Sequence, residues 1–355
     1  MWKDAPSPPI RPGTEVRLHL NESPLGPSKI AVERVIAAAQ DLHRYPGHLR
    51  RSATAAVAEY QGVPEDATLL TSGVDEAVDL VLSTTHTAWT TSPGFTGYAD
   101  RARALGKRVR TIVLDERWEP ATDPAELRDG VVLLAQPNNP TGNTFGPDWL
   151  HAVLRDTPLV FLDETYLRFG PAPVSRAARA PHTDNLLVYS SFSKSFGLAG
   201  VRLGAVFGSQ KTIRALRAAQ RYEAVDTVAL AAAEGVLADR PHLADLRRCV
   251  VELRPRYAEV LATADLFDHV RETEANFVLA RCRTPAGAGG VVAGLAALGV
   301  RVCDTAAFGL PGWVRVSVGT SRSLHVLAQA LTELDHRAAG GAADLNTRTQ
   351  DGETA

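Results

Sequence analysis

Five short polar segments follow directly on apolar runs, and these are the places where chemistry is expected: Gly73 to Glu76, Asn139-Pro140-Thr141-Gly142, Asp163-Glu164-Thr165-Tyr166, Ser191 to Lys194, and Arg202. In an open α/β sheet, ligands sit outside the carboxyl ends of the strands, which is where such segments emerge. Lys194 offers an amine, Asp163 a carboxylate, and the serines with Arg202 offer donors for an anion. Amine chemistry has few candidates in this chain, whose only lysines are Lys3, Lys29, Lys107, Lys194 and Lys211. Taken singly, each segment has an ordinary explanation. Asn-Pro-x-Gly is a good turn, an aspartate at a strand end is commonly a helix cap, and a lone lysine is usually solvated.

The elements that position these segments are legible from patterning. Between about Arg51 and Ser209, helical stretches alternate with short β-branched runs: 68-TLLTSG, 108-RVRTIVLD, 131-VVLLAQP, 158-PLVFLDE, 186-LLVYSSF and 202-RLGAVFG. That alternation predicts a mostly parallel sheet wrapped by helices on both faces. A helical pattern runs from Ser28 to about Asp41, and helix signals dominate from Lys211 to about Ala264. A smaller α+β unit follows, with strands in 274-EANFVLARC, 299-GVRVCD and 313-WVRVSVG and a closing helix from Ser323 to His336. The expected divisions are an N-terminal arm and helix over 1–48, packing with the small domain and a partner subunit, a large domain over 49–240, and a small one over 241–337. A disordered tail is expected over 338–355, where Gly, Ala and polar residues show no periodicity.

The chain has 355 residues, Lys+Arg 38 against Asp+Glu 40, and a formal net charge of -2, so no field gathers polyanions and nucleic acid is not an expected partner. No apolar run approaches the roughly twenty residues of a membrane span. Cys249, Cys282 and Cys303 make no CxxC pair, and the histidines lack ligand spacing, so neither a disulfide framework nor a metal site is expected. The opening Met1-Trp2-Lys3-Asp4 leads into a Pro-rich stretch rather than a secretory signal, and a cytoplasmic location is expected.

The order of the segments carries more than any one of them. Asn-Pro-x-Gly, then Asp-x-x-Tyr, then Ser-x-Ser-Lys with an arginine eight positions on, resembles the fold-type I aminotransferases that use pyridoxal phosphate. Within them the chain is similar to the histidinol-phosphate aminotransferase branch, through 18-LHLNESPLGPS, 43-HRYPG, 71-TSGVDEAVDL, 92-SPGFTGY, 136-QPNNPTGN, 163-DETY, 191-SFSKSFGLAGVRLG, 275-ANFV and 315-RVSVGT. The resemblance implies a role for each matched residue. Lys194 would hold pyridoxal 5'-phosphate as an imine and move the substrate's α-proton, and Asp163 would pair with the pyridinium. Tyr166 and Asn139 would hydrogen-bond the ring oxygen, with Asn139 also bordering the substrate, and Phe95 would stack on the ring. Gly73, Val74, Asp75, Ser191, Ser193 and Arg202 would hold the phosphate, joined by Tyr45 from a neighbouring subunit of a homodimer that shares its active sites. Arg315 would clamp the substrate α-carboxylate, whereas the nearby Arg322 has no implied role.

The resemblance implies exchange of an amino group between an α-amino acid and a 2-oxo acid, although relatives on this scaffold also decarboxylate, eliminate or cyclise amino acids. The chain departs from the branch where a substrate phosphate would be bound. Cys303 stands where histidinol-phosphate enzymes carry an arginine, and Ser23 and Leu25 stand where they tend to have a tyrosine. A thiol cannot neutralise a dianion, so an unphosphorylated substrate is expected unless Arg301 substitutes.

Overall fold

The computed structural model describes residues 15–350 except 172, 285 and 286, with side chains through Arg337. Its thirteen strands and ten α-helices divide into two compact units.

The larger unit comprises Glu22–Val251 and Thr273–Asn276. Its strands are β2 (Thr68–Thr71), β3 (Thr87–Ser92), β4 (Arg108–Val113), β5 (Val131–Ala135), β6 (Leu159–Asp163), β7 (Leu186–Ser191) and β8 (Gly204–Phe207), the strand β1 lying in the other unit. They form one sheet in the order β2-β8-β7-β6-β5-β3-β4. The pairs from β4 through β7 are parallel, and β8 runs antiparallel to both β7 and β2. Strands β5 and β7 are buried along their whole length, as both-face coverage of a parallel sheet requires. The patterning anticipates every strand of this sheet except β3. Its sequence TAWTTS has a single large apolar residue and enters the sheet through buried, β-branched threonines.

Helices α1 (Lys29–Ala38), α2 (His48–Gln61), α3 (Gly73–Leu82), α4 (Thr96–Ala104), α5 (Pro147–Asp156), α6 (Gln210–Ala219) and α7 (Thr227–Ala238) complete this unit, with the first turns of α8 (Arg240–Ala262). Ser28 caps α1 by accepting from the Ala31 amide, and Asp226 caps α7 by accepting from Ala229. α1 lies close on α7: a Cβ on Gly235 would come within 2.5 Å of the Ala31 Cα. The described part of the expected 1–48 segment divides, with α1 in the larger unit and residues 15–21 in the smaller. Residues 241–251 also belong to the larger unit, the division falling inside α8 rather than at its start.

The smaller unit holds β1 (Val16–Arg17), β9 (Phe267–Glu272), β10 (Phe277–Cys282), β11 (Val300–Arg301), β12 (Cys303–Asp304), β13 (Trp313–Ser317), α9 (Gly287–Ala297) and α10 (Ser321–Gln350). Four strands pair antiparallel in the order β12-β13-β10-β9, and β1 pairs parallel with β11. The stretch expected to be disordered from Ala338 instead continues α10 to Gln350, while the rest of that tail lies outside the described residues. Alanine is the strongest helix former, and extending an existing helix carries no nucleation cost.

Candidate active site

Asp163 ends β6, the central strand of the seven-stranded sheet, in register with Ala135 of β5 and Tyr189 of β7. Its carboxylate is buried and accepts three hydrogen bonds, from the Tyr98 hydroxyl at 2.6 Å, the Thr165 amide at 2.8 Å and the Thr165 hydroxyl at 2.5 Å. Burial pushes its pKa up, and the donors from Thr165 and Tyr98 pull it back. Tyr98 is itself pushed well above the ordinary phenol value, first by burial and then by the Asp163 charge, so its hydroxyl remains a donor. A carboxylate has about four acceptor positions, so one remains for a further N–H. The Phe95 ring lies edge-on to Tyr98 with centroids 5.1 Å apart.

The second cluster forms an anion cradle at the N-terminus of α3. The amides of Gly73, Val74 and Asp75 lie in its first turn, where no intrahelical acceptor exists, whereas the Ser72 amide is already taken by the Glu76 carboxylate at 2.6 Å. Arg202 lies over this turn. Its guanidinium reaches the Ser193 hydroxyl at 3.3 Å and the Asp75 carboxylate at 3.5 Å. Arg202 holds φ 56, a left-handed conformation that costs a non-glycine residue about 1 kcal/mol. Ser191 accepts from the Ser193 amide at 3.1 Å, which tightens the turn leading to Lys194. Gly73 has φ +74, and a Cβ there would meet the Arg202 Nη2 at 2.9 Å, so the bare backbone is what admits the guanidinium.

Lys194 is half-buried in the turn after β7, held by backbone bonds from Phe192 to Leu203 at 3.0 Å and from Leu198 to Phe192 at 3.0 Å. Tyr166 is buried in the turn that begins at Asp163, and Asn139 is buried after β5. The loop around Asn139 is fixed by Asn138, which donates to Thr141 at 2.7 Å and to the Pro93 carbonyl at 3.1 Å. Tyr45 stands apart: it is 75% exposed and packs edge-on against the equally exposed Tyr222. Sequence reasoning passes over Tyr98 and Thr165. The signal for Tyr98 is its place three residues after Phe95, one turn along the same helix face. That for Thr165 is the Asp-x-Thr spacing, in which an aspartate caps the backbone two residues on.

The family model for aminotransferase class I and II matches residues 14–331. The chain belongs to the class I and II aminotransferase family. This aminotransferase is 30% identical over 347 residues to the histidinol-phosphate aminotransferase of Dinoroseobacter shibae, covering 92% of each chain. It is 31% identical over 339 residues to that of Methanococcoides burtonii, covering 92% of this chain and 91% of the relative. Among solved structures, the Sinorhizobium meliloti histidinol-phosphate aminotransferase in complex with pyridoxal-5'-phosphate superposes with a TM-score of 0.81 at 22% identity, covering 92% of each, which speaks for the fold. The aminotransferase thus has the fold-type I architecture and depends on pyridoxal 5'-phosphate. The clusters fit that group: the open acceptor position on Asp163 suits a protonated ring nitrogen, and the α3 cradle suits a phosphate. Gly73→Ala is expected to destabilise the aminotransferase by about 1–2 kcal/mol. It should also weaken cofactor binding about tenfold by displacing Arg202, read by absorbance titration of the apoenzyme.

In the smaller unit, Arg315 of β13 is 4% exposed, donates to the His19 carbonyl at 2.9 Å, and sits over the rings of Phe277 and Phe308 at 5.5 and 5.2 Å. Cys303 lies directly across the ladder from Arg315, so the two side chains share a face. Burial pushes the Cys303 thiol up despite the opposing effect of Arg315, which keeps it neutral. Arg301 is engaged elsewhere, paired with Glu15 at 3.1 Å on the β1–β11 ribbon.

Proposed function

We propose that this aminotransferase exchanges the amino group of an unphosphorylated α-amino acid with a 2-oxo acid. The observation that carries the substrate reading is the pairing of Arg315 with Cys303: one guanidinium to clamp a carboxylate, and beside it a neutral thiol with no charge to offer a phosphate. The pairing of Arg301 with Glu15 adds support, since it engages the alternative cation of the same segment. The relatives named for histidinol phosphate, at about 30% identity, favour the other substrate.

Bound pyridoxal phosphate supplies an electron sink that makes the α-hydrogen of an attached amino acid acidic. The residues of this chain do the rest. Lys194 would hold the cofactor through its Nζ and, once released by substrate, would be the amine that accepts the substrate's α-proton. Asp163 keeps the ring nitrogen protonated, a role helped by the Tyr98 and Thr165 donors that hold the carboxylate in place. Tyr166 and Asn139 would hydrogen-bond the ring oxygen, and Phe95 would stack on the ring. The amides of Gly73, Val74 and Asp75, with Ser191, Ser193 and Arg202, bind the phosphate. Tyr45 joins them from the second subunit of a homodimer, an arrangement that would bury the exposed rings of Tyr45 and Tyr222. Arg315 would grip the α-carboxylate, and Asn139 is assigned a contact with the substrate of its own. The three free thiols suit a reducing cytoplasm, and no helix among the described residues is long and apolar enough to cross a membrane.

The test is a panel of amino acids, with histidinol phosphate included, mixed with the holoenzyme while the cofactor absorbance is followed. A response to unphosphorylated amino acids is expected; a fast response to histidinol phosphate alone would overturn the reading. Cys303→Arg is expected to raise kcat/KM for histidinol phosphate at least about tenfold, the scale of one charge-assisted contact.

A further inference from the structure

Behind the cofactor segments lies a cavity of about 290 Å³, wholly within the larger unit. It is lined from the same turns as the site. Glu164, Leu167 and Ser195 face it, each the chain neighbour of a residue assigned to the cofactor: Asp163, Tyr166 and Lys194. Its cations are Arg168, Arg240 and Arg247, and Glu164 is the one carboxylate on its described lining. Arg168 and Arg240 both stack on Tyr60, at 4.5 and 3.9 Å from the ring centroid, and Arg168 also covers Phe196 at 5.1 Å. Arg247 donates to the carbonyls of Arg168 and Gly170, at 2.9 and 3.1 Å. Among the described residues, none of the three is within 4.0 Å of a carboxylate.

The guanidiniums of Arg168 and Arg240 on one aromatic ring repel each other, and burial of Arg168 adds a desolvation cost that a nearby anion would offset. Rings and aliphatic side chains share the rest of the wall with Gln61 and the hydroxyls of Ser175, Ser190 and Ser195 as neutral donors. We propose that this cavity binds a compact dianion, a small dicarboxylate or a phosphate monoester, and that its occupancy is felt at Lys194 and Asp163 through the shared turns. Glu164 makes the binding proton-linked. Its carboxylate accepts from the Ser175 hydroxyl and the Arg176 amide, and it is faced by the charges of Arg176, Asp163 and Arg168, with Arg240 and Arg247 across the cavity from α8. Burial lifts it to about 7, so below that pH it is neutral and no longer repels the ligand.

The experiment is calorimetric titration of the holoenzyme with succinate and, separately, with inorganic phosphate, at pH 6 and pH 8. Saturable binding is expected, tighter at pH 6 for succinate, which is still mostly a dianion there, and weakened about tenfold by Arg240→Gln, an exposed substitution that leaves basal activity unchanged. The arm that binds tells dicarboxylate from phosphate. Binding should persist in Arg315→Gln holoenzyme and shift the visible circular dichroism of the cofactor. Absence of saturable binding by both probes, binding insensitive to Arg240→Gln, or binding lost in Arg315→Gln would overturn the site. An unshifted cofactor signal at saturation would overturn the coupling. The outcome does not depend on which amino acid is the substrate.

Discussion

Lys194→Ala is expected to lower kcat to below about 10⁻⁴ of the native enzyme and to abolish covalent retention of the cofactor after borohydride reduction. Two separate functions fall on one nitrogen. In the proposed mechanism the amine anchors the cofactor and is also the base for the α-proton; general acid–base catalysis alone is worth about 10² to 10⁴. The surrounding turn does not depend on the side chain for its shape. Its backbone is closed by the bonds of Phe192, Gly197 and Leu198, and two stacked rings, Phe192 and Phe196 at 4.5 Å, pack beneath it. The variant should therefore fold, and its thermal midpoint should stay within a few degrees of the native protein. Turnover within tenfold of native, or cofactor still trapped by borohydride and located by peptide mass, would remove Lys194 from its assigned role.

Asp163→Asn should lower kcat about 10³-fold while leaving the fold intact. Removing a preorganised charge partner from a water-excluded site typically costs that much. A neutral amide cannot hold the proton on a ring nitrogen, and half of it is a donor turned toward the Tyr98 hydroxyl or the Thr165 amide, both already donors. The fold is spared because the substitution removes a charge whose burial is unfavourable, as the upward push on its pKa records. Single-turnover absorbance with the preferred amino acid, beside a thermal melt, separates the two effects. A kcat within tenfold of native would show that the ring nitrogen does not rely on this carboxylate.

The cofactor chemistry was largely legible because it is local. Each segment follows an apolar run, and the end of a buried strand is where a polar side chain meets ligand rather than core, so Asp163, Asn139, Ser191 and Lys194 could be picked out by position. The Thr-rich β3 was harder, since its burial comes from neighbouring strands on both sides rather than from its own hydrophobicity. The continuation of α10 beyond Ala338 reflects a helix already nucleated upstream, which composition in the tail does not reveal.

The sequence by itself determined the family, every sheet-forming run of the larger unit but β3, and the positions of the amine and carboxylate proposed to hold the cofactor. Tertiary structure alone decided the partners: Tyr98 on Asp163, Arg202 over the bare backbone of Gly73, Cys303 opposite Arg315, and three arginines around one cavity. The physical reason is that strand periodicity sets which way a side chain points within a few residues. What it then touches depends on strand order and register, and these follow from crossovers and packing between residues far apart in the chain.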